Sequence, residues 1–180
     1  MVGRFQSAPK QSHLLAVKRI LRYLKGTSDF GLWYPKNSTL TVTAYTDADW
    51  VGSIDDRKST SGNAFFLGDC LVSWLSKKQS SISLSTAEAE YIDALDYCTQ
   101  ILWMKEALKD VDICIDQSIT VYCDNTSAIS LKKNPVMHSR TKHIPIKYHF
   151  LREQVAEQKN ILEYISTKQQ IVDIFTKPLP

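Results

Sequence analysis

The sequence is poor in the residues that mark special architectures. Its 180 residues hold only six glycines and six prolines, which excludes a collagen-like or linker-dominated chain. Four cysteines (Cys70, Cys98, Cys114, Cys123) are spread without a CxxC pair, so neither a disulfide framework nor a zinc knuckle is indicated, and reduced thiols are expected. No apolar run nears the ~20 residues of a membrane span. The opening MVGRFQSAPKQSH lacks the apolar core of a secretory signal. Repeats and low-complexity tracts are absent too. What remains is an ordinary globular composition, 43% hydrophobic and 23% charged, in a chain long enough for one well-buried core.

Acidic residues are missing from two stretches. Residues 1–28 carry six basic residues and no acid, and residues 132–152 carry six more, again with no acid. These account for twelve of the 22 basic residues, leaving ten against all 19 acids in the rest of a chain whose net charge is +3. Such segregation suits a protein that holds a polyanion on one surface while gathering carboxylates on another, although solvated helix faces give the same pattern.

Periodicity sets the element order. Residues 9–25 read as an amphipathic helix with Leu14, Val17, Leu21 and Leu24 on one stripe and Gly26 as its stop. GLWYP (31–35) is a short strand candidate. LTVTAYTDAD (40–49) alternates with period two, placing Val42 and Ala44 on one face and Thr43, Tyr45 and Asp47 on the other. NAFFLG and CLVSWLS follow as two strands broken at Gly68-Asp69. The strongest helix spans 83–111, capped at Ser85 or Thr86, with a buried stripe of Tyr91, Ala94, Leu95, Cys98, Ile101, Leu102 and Leu108. A buried strand at 118–125 ends in Asp124, helices are expected at 126–133 and near 143–157, and a strand at 161–166 precedes a short helix around 169–176. Three antiparallel strands followed by βα crossovers predict an α/β domain, a five-stranded mixed sheet flanked by helices on both faces. The domain proper is expected over 38–180, with 1–37 a connecting segment from something that precedes it.

Three acids fall where an apolar element meets polar chain: Asp47, Asp124 and Asp173. If the first and fourth strands are neighbours, Asp47 and Asp124 end side by side, and carboxylates crowded in a partly buried site repel unless a cation joins them. Oxygen-rich acid clusters suit Mg²⁺ or Mn²⁺. Local roles compete with that reading: Asp124 as a helix cap, Asp47 paired with Arg57, Asp173 at the favourable end of a helix dipole. Glu88 and Glu90 both open the long helix on a core-facing edge, and helical periodicity does not choose between them.

Longer blocks carry more information than any acid pair. AYTDADWVGSIDDRKSTSG, VSWLSKKQSSISLSTAEAEYIDA, VYCDNTSAI, HSRTKHIPIKYHFLRE and IVDIFTKPL resemble, in order and over most of 44–179, the RNase H domain of copia-type LTR retrotransposon polyproteins. VGRFQSAP…AVKRILRYLKGT resembles the segment joining that domain to the preceding reverse transcriptase. The resemblance implies an RNase H-like fold and hydrolysis of the RNA strand of RNA–DNA hybrids with two divalent metal ions, Mg²⁺ or its substitute Mn²⁺. It carries the family's metal-holding, catalytic acids onto Asp47, Glu90, Asp124 and Asp173, and so selects Glu90 over Glu88. Asp49, on the same strand face as Asp47, is the rival for a supporting role.

The family's relatives often have a histidine between the last strand and last helix, where this chain reads Ser166-Thr167-Lys168. Nucleic-acid contacts are expected from Ser83, Ser85, Thr86 and Asn125 toward the 2′-hydroxyl, and from Lys132, Lys133, Arg140 and Lys142 toward phosphates. The implied partners are the hybrid and the reverse transcriptase portion of the same polyprotein, with no membrane and no small-molecule cofactor. The implied location is the cytoplasm, inside virus-like particles. The competing functions are a non-catalytic hybrid- or RNA-binding module, an integrase-like strand-transfer enzyme, and a structural domain active only within a full reverse transcriptase.

Overall fold

The computed structural model describes residues 2–36, 39–52, 56–115, 118–126, 129 and 161–177. It divides into two compact units, Met1–Trp33 and Tyr34–Pro180. The first holds a short 3-10 turn (Val2–Phe5) and helix α1 (Gln11–Gly26). Its start is tied down by the Lys10 backbone N–H on His13 Nδ1 (3.0 Å) and by the stack of Phe5 on the His13 ring. The strand expected at 31–35 does not form. Pro35 has no N–H to donate, and the backbone there finds no ladder partner; Tyr34 Oη donates instead to the Leu71 carbonyl (2.7 Å).

The second unit is built on strands β1 (Val42–Asp49), β2 (Thr60–Leu67), β3 (Cys70–Lys78), β4 (Thr120–Cys123) and β5 (Ile161–Tyr164). Their order in the five-stranded sheet is β3-β2-β1-β4-β5. The first three pair antiparallel, and β4 joins β1, and β5 joins β4, in parallel. The mixed sheet therefore follows the expected strand sequence, with β1 at its centre.

Helix α2 (Thr86–Lys109) covers one face, and the one-turn helix α3 (Asp173–Thr176) lies at the other. The core under α2 gathers Val42, Ala44, Phe65, Tyr97, Cys98, Ile101, Met104, Ile119 and Val121. Burying side chains such as Phe65, Tyr97 and Ile101 contributes on the order of 1.5–3 kcal/mol each.

The buried stripe of α2 differs from the expected one. Ala89, Ile92, Asp93, Tyr97, Cys98, Ile101 and Met104 face the sheet, while Leu102 and Leu108 are half-buried; the side chains of Tyr91, Ala94 and Leu95 lie outside the described residues. Cys98 and Ile101 are common to the expected and observed stripes and Leu108 packs against the core, while Asp93 adds an acid to the same face. After β4 the Ile129 N–H bonds the Asn125 carbonyl, one helical turn on. The remainder of that helix and the one expected at 143–157 lie outside the described residues, as do Lys132, Lys133, Arg140, Lys142 and the three histidines His138, His143 and His149.

The β2–β3 turn depends on Gly68, whose φ is +60°. A Cβ there would stand 2.4 Å from the Thr39 carbonyl oxygen, and the Gly68 N–H bonds the Thr41 carbonyl at 2.7 Å. Gly68→Ala is therefore expected to cost about 1–3 kcal/mol, read as a lower urea midpoint with unchanged m-value.

Candidate active site

Parallel pairing of β1 with β4 sets Thr46 opposite Cys123, so the next residues stand side by side, Asp47 still paired with Gly62 of β2 and Asp124 just past the end of β4. The N-terminal turns of α2 add Glu90. Ser85 Oγ accepts the Glu88 N–H (3.2 Å) and Glu88 Oε2 accepts the Leu84 N–H (2.8 Å), a reciprocal cap at the start of α2. Two residues later Glu90 reaches the sheet end, where its Oε1 accepts the Ala48 backbone N–H at 3.1 Å. The two glutamates that periodicity left undivided thus have different tasks: one starts the helix, the other joins the aspartates.

Asp47, Glu90 and Asp124 each present a carboxylate oxygen, and those oxygens all lie within 4.8 Å of one another. Asp47 and Glu90 are buried and Asp124 is half-buried. Burial pushes Glu90 up to about 9, assisted by the neighbouring charges of Asp93 and Asp47; the Ala48 N–H opposes this. Burial also raises Asp47, with Asp124 adding to the effect and the Thr176 hydroxyl, 2.6 Å away, counteracting it. Asp47 has its partner in Thr176 and not in Arg57. Asp124 Oδ2 accepts from the Thr167 hydroxyl (2.9 Å).

The donor set fits a hard divalent cation. Cys123 Sγ is 3.8 Å from Glu90 Oε2, but burial and the Glu90 charge push its thiol well above the usual range. It stays protonated, so the ligands on offer are carboxylate oxygens, the chemistry of Mg²⁺ or Mn²⁺. Three acids held this close without a cation also repel one another, which is the source of part of the upward shifts.

Asp173 opens α3 and stands outside the trio, its Oδ1 held by Lys177 Nζ. Asp49 is half-buried; burial raises its carboxyl, and Lys177 pulls it back down. Of the expected nucleic-acid contacts, Ser83 is buried with its hydroxyl donated to Gln79 Oε1 (2.9 Å) and its carbonyl taken by Trp50 Nε1 (3.0 Å). Ser85 and Thr86 are exposed at the start of α2, and Asn125 is half-buried beside Asp124.

Sequence reasoning missed Asp93. It is fully buried one helical turn beyond Glu90, accepting from Thr46 Oγ1, from Asn63 Nδ2 (2.9 Å) and from the Ser61 side chain. Burial holds its proton until about pH 8. Its place in the EYIDA run, three residues after Glu90, was the available signal.

No protein-family model matches the chain. Among curated proteins it is 43% identical over 178 residues to the "Retrovirus-related Pol polyprotein from transposon RE1" of Arabidopsis thaliana, covering 99% of this chain and 12% of that one. It is 41% identical over 180 residues to the corresponding polyprotein from transposon TNT 1-94 of Nicotiana tabacum, covering 100% of this chain and 13% of that one. The chain thus spans about an eighth of the length of these relatives. Among solved structures, LC11-RNase H1, isolated from compost by a metagenomic approach, superposes with a TM-score of 0.54 at 12% identity, covering 77% of this chain and 94% of that one. The strand order with its acid-tipped central strands, and near-complete alignment to transposon polyproteins, lead to one assignment: the chain belongs to the Pol polyproteins of copia-type LTR retrotransposons and has the RNase H fold.

Proposed function

We propose that this domain hydrolyses the RNA strand of RNA–DNA hybrids, using divalent cations held by Asp47, Glu90 and Asp124. The observation that carries the reading is the convergence of three carboxylate oxygens within 4.8 Å from three separate elements. Mg²⁺ is the expected ion and Mn²⁺ its substitute. Two ions are proposed, Asp47 serving both and Asp173 completing the second. When bound, such cations supply the water activation and charge neutralisation that phosphodiester hydrolysis needs.

The chain's own residues do the positioning. The Ala48 N–H fixes Glu90, and the β1–β4 register brings the two aspartates side by side, with Asp124 half-buried. Ser83, Ser85 and Thr86 before and at the start of α2, and Asn125 beside Asp124 in the chain, are proposed to meet 2′-hydroxyls in the shallow groove. Lys132, Lys133, Arg140 and Lys142 are proposed to hold phosphates without reading sequence. The larger size of the Pol relatives supports a reverse transcriptase portion as covalent partner, with residues 1–37 as the connection and 38–180 as the nuclease. Residence in cytoplasmic virus-like particles goes with that reading.

The test is cleavage of an end-labelled RNA–DNA hybrid in Mg²⁺, beside RNA–RNA and DNA–DNA duplexes. Cuts confined to the RNA of the hybrid, abolished by EDTA and by Asp124→Asn, are the expected result. Hybrid binding without cleavage in either Mg²⁺ or Mn²⁺ sinks the reading for the isolated domain and favours a binding module. Cleavage regained on fusion to the polymerase favours a domain dependent on its neighbour.

A further inference from the structure

Two of the three site carboxylates are held by hydroxyls from a single short segment, and nothing in the pattern of acids required this. Thr167 Oγ1 donates to Asp124 Oδ2 at 2.9 Å, and Thr176 Oγ1 donates to Asp47 Oδ2 at 2.6 Å. We propose that residues 166–177 act as a positioning clamp on the acidic trio, Thr167 orienting Asp124 and Thr176 orienting Asp47. This rests on the metal-site reading above and deepens it.

The clamp has its own anchors, independent of the carboxylates. Gln170, itself buried, donates from Nε2 to the Thr46 carbonyl (2.9 Å), beside Asp47 in the chain. Ser76 Oγ of β3 donates to the Phe175 carbonyl (2.6 Å), and the Val172 side chain is fully buried. The seat is Gly62, which β2 places opposite Asp47. A Cβ at Gly62 would come within 2.6 Å of Thr176 Cγ2 and 3.0 Å of Val172 Cγ1, so only a residue without a side chain lets the segment lie this close.

Helix propensity does not explain the placement. α3 is one turn of four residues, far below the length at which a helix is stable alone, so its position is set by what it touches. Thr176 Oγ1 also lies 3.1 Å from the Asp173 carbonyl, the ordinary resting bond of a helical threonine. The shorter contact is the one to Asp47. A carboxylate offers about four lone-pair sites, so one oxygen can be held in place while the group still binds a cation. Residues that orient ligands in this way typically change metal affinity 10- to 100-fold when removed.

The experiment measures Mn²⁺ affinity by calorimetry, with the melting temperature in parallel, on the full 180-residue chain. Thr176→Val is expected to weaken Mn²⁺ binding about 10- to 100-fold, with Thr176→Ser restoring it because the hydroxyl alone is needed. Thr167 is exposed, so Thr167→Val keeps the fold whatever happens at the buried position, and a loss in the same direction is expected. Gly62→Ala, which leaves both hydroxyls in the chain but pushes the segment off its seat, is expected to behave like Thr176→Val. Valine variants that bind Mn²⁺ as the parent does, even with a lowered melting temperature, overturn the clamp and leave the metal site standing. A parent chain that binds no Mn²⁺ overturns the metal site and the clamp with it.

Discussion

Glu90→Gln is expected to stabilise the metal-free protein at high pH while removing its function. In the unfolded chain a glutamate loses its proton near pH 4.3; in the fold, burial and the Asp93 and Asp47 charges delay this to about pH 9. Between those limits the folded state holds the extra proton. Its contribution to stability is thus present at low pH and is lost as the pH climbs through 9. Glutamine keeps the shape and the acceptor for the Ala48 N–H but never ionises. The parent and variant should melt alike at about pH 4, with the variant roughly 5 °C or more higher at pH 9. Millimolar Mn²⁺ at pH 8 should raise the melting temperature of the parent alone, because the cation competes with the Glu90 proton. Hybrid cleavage should fall by more than the ~100-fold typical of changes outside a ligand set. A pH-independent gap between the two melting temperatures would refute the assignment of the shift to Glu90.

The second large effect concerns Asp93, which ties α2 to β1 and β2 without any solvent exposure. Asp93→Ala strips the acceptor from Thr46, Asn63 and Ser61 at once and leaves a cavity. With about 1–3 kcal/mol for each buried donor left unsatisfied, a loss of roughly 3 kcal/mol or more is expected in urea titrations. Asp93→Asn fills the same volume and can still accept from Asn63. The native carboxyl keeps its proton until about pH 8, whereas the unfolded chain loses it near pH 3.9, so this variant should match the parent only at about pH 4. From there the parent loses stability as the pH rises towards 8, so the asparagine variant becomes progressively the more stable of the two and the gap levels off above pH 8. If Asp93→Ala unfolds at the parent's urea midpoint, the network is not holding α2 in place.

Much of this architecture was readable in the chain. Alternation in LTVTAYTDAD assigned β1 and its two faces correctly, because one face meets a core and the other does not. Asp47 and Asp124 stood out because each interrupts an apolar stretch, although β1 runs on to Asp49 and Asp47 is itself buried. The choice between Glu88 and Glu90 was not readable from periodicity, since both sit on the inner edge of α2 and only the cap to Ser85 and Leu84 separates them. Asp93 escaped because a stripe of apolar residues is a rule about solvent transfer. A buried acid satisfied by three donors from two strands is decided by tertiary contacts. The strand expected at 31–35 failed for the converse reason, as local propensity without a neighbouring strand yields no ladder. Thr167 and Thr176 left no mark at all, because threonines near a helix end are too common to point anywhere.

The way the centre is assembled also imposes an order in time. Its acids come from residues 47, 90 and 124, on a central strand β1 whose parallel neighbour β4 is made more than seventy residues later. Thr176, which holds Asp47, comes later still, 129 positions after that residue. A ribosome adding roughly 5–20 residues per second delivers these parts over many seconds. Contacts so distant along the chain make for slow closure. The β1–β2 and β2–β3 pairs have both their strands early, whereas Asp124 joins Asp47 and Glu90 only with β4. The electrostatic strain of bringing all three acids together is therefore incurred only after the strands of the meander have been made.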